Sequence, residues 1–260
     1  MKIVSVVNQK GGVAKTTTVA NLGACLAARG FRTLLIDLDP QANLTLGLRR
    51  EWENMPYGLQ DVILDWWNKP LRGVIRQIPG LPLFLAPGHL EMARSEAIIL
   101  KQGGSSAYGL RRALTALEIQ RAFDWVLIDC PPSLGMLTQN GIVASNYLII
   151  PTEPKMYAFA GMDTLNKMVS ELAKEYQFEV EVLGVLLTMY ERRTRLHKAI
   201  EAVIRERFGE KVFDTAIFRN VRISESEIEG KPVLLFDKQA TGAKNYVDLA
   251  EEVIRRGGKE

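Results

Sequence analysis

The sequence contains few of the residues that form metal centres or covalent cross-links. Two of its 260 residues are cysteines and two are histidines. Cys25 and Cys130 fit no metal-ligand spacing, and two cysteines are too few for a disulfide framework. Both stand among apolar residues, which is typical of buried free thiols. With only His89 and His197 beside them, the sequence does not favour a metal site built on cysteine or histidine.

Long apolar runs are also missing. No stretch approaches the roughly 18 apolar residues that a membrane-spanning helix needs. The apolar segment at residues 1–7 runs directly into a glycine loop and is too short for a signal peptide. We therefore expect a cytoplasmic protein. Its hydrophobic fraction of 47% is enough for a sizeable core.

Short apolar segments alternate with longer helical patterns along the chain. The apolar segments are nearly continuous, which is typical of strands buried on both faces. This order predicts an α/β fold, a doubly wound, mostly parallel sheet with helices on both faces, in one domain over residues 1–260. Residues 49–80 are expected to be irregular and residues 103–106 to form a surface loop. Strands are predicted at residues 2–7, 32–37, 83–86, 125–129, 147–150 and 182–187, and helices at 15–29, 162–176 and 196–208.

A glycine-rich loop, KGGVAKTT at residues 10–17, separates the first predicted strand from the first helix. This order is that of the Walker A motif, although Ala14 stands where the motif has its last glycine. Backbone N–H groups of such a loop, with the following helix N-terminus, bind phosphates. The motif assigns Lys15 to the β- and γ-phosphates, Thr16 to Mg²⁺ and Thr17 to the α-phosphate region. The predicted ATP-binding residues are Lys10, Gly11, Gly12, Val13, Ala14, Lys15, Thr16 and Thr17.

Aspartates end two of the predicted strands. Asp37 and Asp39 flank one residue after the second strand, and Asp129 ends the strand at 125–129. Open α/β sheets bind ligands at the carboxyl ends of their strands, and strand alternation puts Asp37 and Asp39 on one side. Alternatively, these aspartates only cap a turn or a helix. The phosphate loop nearby favours a role in the nucleotide site.

These segments together resemble the ParA/MinD family of ATPases with a deviant Walker A motif. The resemblance is carried by KGGxxKT at residues 10–16, DxDPQxN at 37–43 and VLIDCPPS at 126–133. It implies a nucleotide sandwich dimer in which Lys10 of one subunit reaches the phosphates bound by the other. It also implies that Asp39 activates the attacking water and that Asp37 and Asp129 hold Mg²⁺ through water. The implied catalytic residues are Lys10, Lys15 and Asp39, and the implied metal-binding residues are Thr16, Asp37 and Asp129.

The resemblance extends over essentially the whole chain and is strongest to the chromosomal ParA (Soj-like) group. Residues 184–196, 208–233 and 241–253 match that group in order and spacing. They imply that Met189, Arg219 and Asn220 face the adenine.

Basic residues are concentrated at residues 192–222, where nine lysines and arginines accompany four acids. Taken alone, such a run is typical of a solvated helix face. The Soj-like resemblance instead implies DNA binding without sequence preference, which phosphate contacts make salt-dependent. The matching positions are Arg193 and Arg222. The implied DNA-binding residues are Arg192, Arg193, Arg195, Arg219 and Arg222.

The resemblance implies a partition ATPase that forms an ATP-dependent homodimer on the nucleoid. Its other partner would be a ParB-like centromere-binding protein that stimulates hydrolysis. Two alternatives stay open, a ParA-like positioning ATPase for another cargo and a MinD-like ATPase that cycles on membranes. The second needs a C-terminal amphipathic anchor. The chain has few large apolar residues after Leu249, so we expect that it does not bind membranes. Three positions depart from the family pattern, namely Glu153, Ala160 and Phe218.

Overall fold

The computed structural model describes residues 1–48, 57–102, 107–155 and 158–258. The loop expected at residues 103–106 lies outside the described residues, as does the first part of the segment expected to be irregular, residues 49–56. The side chain of Ala160 also lies outside the described part.

Eight strands in the described part of the chain form one sheet. Their order across the sheet is β3-β4-β2-β5-β1-β6-β7-β8. All neighbouring strands run parallel except β3 and β4, which run antiparallel at one edge. The strands are β1 (Lys2–Val6), β2 (Thr33–Asp37), β3 (Arg76–Ile78), β4 (Leu83–Ala86), β5 (Trp125–Asp129), β6 (Tyr147–Thr152), β7 (Glu181–Tyr190) and β8 (Val212–Phe218).

Helices connect these strands and cover the sheet. They are α1 (Lys15–Ala28), α2 (Asn43–Leu48), α3 (Leu59–Leu64), α4 (Met92–Gln102), α5 (Gly109–Leu114), α6 (Leu117–Ala122), α7 (Met136–Ala144), α8 (Ala158–Tyr176), α9 (Arg195–Phe208), α10 (Val221–Ile228), α11 (Val233–Phe236) and α12 (Thr241–Gly257). Single 3₁₀ turns occur at Leu71–Gly73 and Gly209–Lys211. No helix among the described residues is long and apolar enough to cross a membrane.

Two apolar cores lie on opposite faces of the sheet, because successive strand residues point to opposite sides. On β2, Leu35 packs in a cluster with side chains of α1 and α12. Its neighbours Leu34 and Ile36 pack in the other cluster, with side chains of α3, α5, α7, α8 and α9. All residues of β2 and β5 are buried. The predicted doubly wound, mostly parallel sheet is therefore confirmed.

Parts of the expected secondary structure were wrong. Residues 57–80 are not irregular throughout, because they contain α3 and the short strand β3. β3 escaped prediction because it has three residues and lies at the sheet edge beyond Pro70. Strand β8 was also missed, since its sequence VFDTAIF includes polar and partly exposed positions. Being an edge strand, it lacks the continuous apolar pattern of the inner strands.

Candidate nucleotide-binding site

The carboxyl ends of the central strands surround a cavity of about 600 Å³. Parallel pairing places Asp129 of β5 beside both Val6 of β1 and Asp37 of β2. The glycine-rich loop follows β1 at this edge of the sheet. The cavity lining includes Gly11, Gly12, Ala14, Lys15, Thr16, Thr17, Asp39 and Met189. The predicted loop residues therefore meet a strand-end aspartate in one cavity.

The loop backbone is shaped to present N–H groups. Gly12 and Ala14 adopt left-handed conformations, with φ of 70° and 62°. Ala14 is the N-cap of α1, and its side chain cannot bond the first N–H groups of the helix. Those groups have no intrahelical partner, so an anion at this terminus can accept from them. Val13 is buried, so only its backbone can serve a ligand.

Lys15 is held at the floor of the cavity. Its Nζ donates to the carbonyl oxygen of Lys10 at 3.1 Å. Burial lowers the pKa of the Lys15 ammonium, although the carboxylates of Asp129 and Asp39 act in the opposite direction. Thr188, at the end of β7, donates to the carbonyl of Val13 at 3.2 Å and braces the loop. The ammonium is thus pre-positioned before any phosphate arrives.

Lys10 lies on the rim, with 42% of its side chain exposed. Its Nζ is 3.8 Å from the carboxylate of Glu153, which is buried. Lys155 and Arg219 approach the same carboxylate at 2.8 Å and 3.7 Å. Lys10 therefore rests against its own subunit, on a residue that departs from the family pattern.

Asp129 is a fully buried carboxylate at the end of β5. Neither of its side-chain oxygens is bonded within the described residues. Burial raises the pKa of Asp129 well above its ordinary value, and the charge of Asp37 raises it further. Lys15 and the nearby hydroxyl of Thr16 act in the lowering direction. An uncompensated carboxylate at this depth is costly unless a cation approaches it.

These residues fit a magnesium ion. The described residues contain no cluster of three or more His, Cys, Asp or Glu that could hold a metal alone. Mg²⁺ usually keeps several waters and takes one or two protein ligands with substrate phosphates. The Thr16 hydroxyl and the unpartnered oxygens of Asp129 are such a donor set.

Asp37 and Asp39 have different surroundings. Asp37 Oδ2 accepts from the N–H and the hydroxyl of Thr45 at 2.9 Å and 2.8 Å, which holds helix α2 at the strand end. Its Oδ1 accepts from Asp39 N at 3.2 Å. Burial raises the pKa of Asp37 to about 6. Asp39 accepts from Gln41 N at 2.9 Å and lines the cavity. Of the two, Asp39 is the one that faces the ligand space.

The three predicted adenine-facing residues do not all reach the cavity. Met189 lines it and adopts a strained φ of 49°, of the kind that often marks functional sites. Asn220 instead caps α10, accepting from Arg222 N at 2.9 Å. Arg219 pairs with Glu191 at 2.8 Å and faces Glu153. Neither Arg219 nor Asn220 is among the residues that line the cavity.

Sequence reasoning missed one wall of the cavity. Thr17 Oγ1 donates to Glu227 Oε1 at 2.7 Å, across 210 residues of chain. One turn further along α1, Asn21 Oδ1 accepts from Val233 N at 2.7 Å. Glu227 lines the cavity together with Lys231 and Pro232. Nothing in the local sequence separates Glu227 from its neighbouring acids, so only the fold reveals its position.

The predicted DNA-binding arginines lie near the β8 edge of the sheet but differ in their contacts. Arg193 and Arg195 are exposed and form no ion pair within the described residues. Arg192 stacks on the ring of Phe218 at 4.3 Å. Arg222 pairs with Glu225 at 2.6 Å and with Asp237 at 3.0 Å. The charge of Arg222 is therefore partly neutralised inside the subunit.

A parallel sheet with a phosphate loop, a buried lysine and strand-end carboxylates defines the class of P-loop ATPases. Residues 1–182 match the family described as "AAA domain". The chain is 40% identical to sporulation initiation inhibitor protein Soj of Bacillus subtilis, over 98% of this chain and 99% of that protein. It is also 40% identical to chromosome partitioning protein ParA of Caulobacter vibrioides, over 98% and 95%.

A solved structure is similarly related. The cobyrinic acid a,c-diamide synthase of Mycobacterium smegmatis, with bound ADP and magnesium, is 32% identical and has a TM-score of 0.84 over 100% of this chain and 96% of that one. The chain therefore belongs to the ParA/MinD family of P-loop ATPases, in the Soj-like ParA group. It is an ATPase, and its cofactors are ATP and Mg²⁺.

Proposed function

We propose that this chain is a partition ATPase that forms an ATP-dependent homodimer and binds DNA without sequence preference. A ParB-like partner protein stimulates hydrolysis and so ends each DNA-bound period. The proposal rests on the position of two residues at and after the end of strand β7. Met189 lines the nucleotide cavity, and the exposed Arg193 follows four residues later. One short segment thus joins the nucleotide site to a basic surface.

In the nucleotide site, Lys15 neutralises the β- and γ-phosphates while the loop N–H groups bind their oxygens. Thr16 and Asp129 would hold Mg²⁺, and Asp37 would support its bound water. Bound Mg²⁺ supplies positive charge that offsets the charge of the transferred phosphoryl group. Asp39 orients the attacking water from the cavity wall. Phosphoryl transfer needs little covalent chemistry from the protein, so this small set of residues is sufficient.

Lys10 acts across the dimer. Its half-exposed side chain leaves Glu153 and reaches the phosphates bound by the partner subunit, where it takes the role of an arginine finger. Gly11 and Gly12 support this geometry, since two backbones must approach closely at the loop. Both glycines are exposed on the cavity rim.

DNA binding rests on the basic segment after β7. Arg193 and Arg195 are free of ion pairs among the described residues and can neutralise phosphates directly. Arg192, Arg219 and Arg222 have intramolecular partners, so each exchanges a contact when it meets DNA. Contacts of this kind carry no sequence information and weaken steeply with salt. The chain is one ATPase domain over residues 1–260 that works in the cytoplasm, on the nucleoid.

A DNA titration tests this function. The protein is titrated onto random-sequence duplex DNA with ATP, with ADP and without nucleotide, at two salt concentrations. Variants Arg193→Ala and Arg222→Ala are measured beside Arg72→Ala, a matched control. Arg72 pairs with Glu118 and precedes β3 at the opposite edge of the sheet from β8.

We expect DNA binding only with ATP. In Arg193→Ala, the slope of the logarithm of the binding constant against the logarithm of the salt concentration should be smaller by about one for each lost phosphate contact. Arg72→Ala should bind like the unchanged protein. Absence of DNA binding by an intact ATP dimer would contradict the proposal. Binding to membrane vesicles would then test the MinD-like alternative. The alternative of another cargo is tested by measuring which partner protein stimulates ATP hydrolysis.

A further inference from the structure

Glu227 is an acidic side chain on the wall of the nucleotide cavity. Asp39 is the other carboxylate in that lining, and it stands with the catalytic groups. Glu227 comes from the last turn of α10 and contacts the loop helix α1 at Thr17. A carboxylate next to a triphosphate is repelled by it, so its place in this cavity needs an explanation.

The wall that carries Glu227 is fixed to the phosphate-binding helix at two points. Thr17 donates to Glu227 at 2.7 Å, and Asn21 accepts from Val233 N at 2.7 Å. Thr17 and Asn21 are one helical turn apart, so both bonds lie on the same face of α1. The carboxylate is therefore positioned by the fold.

Its position corresponds to the part of a nucleotide next to the phosphates. The loop through Thr16 binds phosphate groups, and Thr17 is the next residue along α1. Beyond Thr17, the residues that line the same cavity include Ala20 and Asn21 of α1 and also Pro232. In a nucleotide, the ribose directly follows the α-phosphate. The first non-phosphate group along this path is thus the sugar.

The carboxylate of Glu227 and the ribose of a nucleotide are chemically complementary. A carboxylate only accepts hydrogen bonds, and the ribose presents two hydroxyl donors. Without nucleotide, Glu227 Oε1 accepts from the Thr17 hydroxyl. A bound nucleotide offers Thr17 a phosphate acceptor and offers Glu227 hydroxyl donors, so one bond is exchanged for two.

We propose that Glu227 accepts hydrogen bonds from the ribose hydroxyls and makes the site select ribonucleotides over 2′-deoxyribonucleotides. The inference concerns nucleotide binding alone and does not depend on dimerisation or on DNA. Hydrogen bonds to charged groups are stronger than those between neutral groups. Loss of one such bond corresponds to roughly a tenfold or greater change in affinity.

Calorimetric titration tests the proposal with ADP and 2′-deoxy-ADP, each with Mg²⁺. The variants are Glu227→Ala, Glu227→Gln and the control Glu229→Ala, an exposed acid two residues away. Inosine diphosphate is a third ligand, because it lacks the adenine amino group that Glu227 could otherwise bind. Thermal unfolding confirms that each variant is folded.

We expect the unchanged protein and Glu229→Ala to bind ADP about tenfold more tightly than 2′-deoxy-ADP. Glu227→Ala should bind both equally, with the loss confined to ADP, and Glu227→Gln should keep part of the preference. Three results would overturn the proposal. The first is that the unchanged protein binds ADP and 2′-deoxy-ADP equally well. The second is that Glu227→Ala loses the same affinity for both ligands. The third is that Glu227→Ala changes the preference for ADP over inosine diphosphate and leaves the preference over 2′-deoxy-ADP intact.

Discussion

Asp37 and Asp129 stand directly opposite each other at the ends of the adjacent parallel strands β2 and β5. Both are fully buried. Burial is the main reason why the pKa of each carboxyl is raised, to about 6 for Asp37, and the charge of Asp37 adds to the shift of Asp129. The fold thus holds two acids together where a cation can relieve them. This arrangement lowers the stability of the protein when no cation is bound.

The first prediction concerns pH. A carboxyl with a raised folded-state pKa stabilises the fold at pH below its ordinary pKa of about 4, and this contribution is lost as pH rises through the folded-state pKa. That pKa is about 6 for Asp37 and is raised well above the ordinary value for Asp129. We expect Asp129→Asn to remove the part of this loss that belongs to Asp129, because the amide is neutral. In EDTA at pH 7.5 the variant should be more stable than the unchanged protein by about 1–3 kcal/mol, the usual cost of burying a polar group without a hydrogen bond.

Urea unfolding at pH 5 and pH 7.5 measures this difference. Mg²⁺ with ADP should stabilise the unchanged protein and not Asp129→Asn. If the variant proved less stable than the unchanged protein at pH 7.5 in EDTA, the carboxylate would not be an uncompensated charge.

The second prediction concerns Ala14, which holds φ 62° and ψ 36° directly before α1. A left-handed conformation costs a residue with a Cβ about 1–2 kcal/mol. Glycine removes this cost, but its greater conformational freedom in the unfolded chain offsets part of the gain in stability. We expect Ala14→Gly to raise the free energy of unfolding by up to about 1 kcal/mol and to keep ADP binding. Ala20→Gly, inside the same helix, should lower it by about 0.5–1 kcal/mol. If Ala14→Gly were less stable than the unchanged protein, the left-handed backbone at Ala14 would not be strained.

A third prediction follows from the packing of α7. A Cβ on Gly141 would lie 2.8 Å from Cys130 Sγ and 3.2 Å from Leu38 and Ser5. We expect Gly141→Ala to lower stability by about 1–3 kcal/mol, as overpacking does. Gly47→Ala is the matched control, because its Cβ meets nothing within 4 Å. Denaturant unfolding should show that control unchanged or stabilised, and equal behaviour of both variants would contradict the close packing.

A fourth prediction concerns Glu252, a buried acid that fastens α12 to β8. It accepts from Asp214 N and Thr215 N at 2.9 Å and 3.0 Å and pairs with Arg256 at 2.7 Å. Burial alone would raise the pKa of Glu252, but these donors together hold it below its ordinary value. Its contribution is present above pH about 4.5 and is lost as pH falls through the lowered pKa.

We expect Glu252→Gln to destabilise the fold by about 1–3 kcal/mol at pH 7, with a smaller loss at pH 3.5. A thermal unfolding series from pH 3.5 to pH 7 measures both. Equal losses at the two ends would show that the charge of Glu252 is not what fastens the helix.

The phosphate loop and the strand-end aspartates could be predicted because their signals are local. Strand, glycine turn and helix follow one another within residues 2–28, and the inner strands are continuous apolar runs. The edge strands β3 and β8 lack that pattern. The contact of Thr17 with Glu227 spans 210 residues, and Asn220 turned out to cap α10. Such contacts depend on the packing of distant elements, which no local pattern records.

The central claim is that ATP draws two copies together through Lys10. Sedimentation equilibrium with Mg²⁺ and a slowly hydrolysed ATP analogue tests it most directly, with Lys10→Ala beside the unchanged protein. We predict twice the chain mass of 29.1 kDa for the unchanged protein with the analogue and the single chain mass with ADP. Lys10→Ala should bind the analogue and stay monomeric. An unchanged protein that stays monomeric at saturating analogue, or a Lys10→Ala variant that dimerises equally well, would contradict the account.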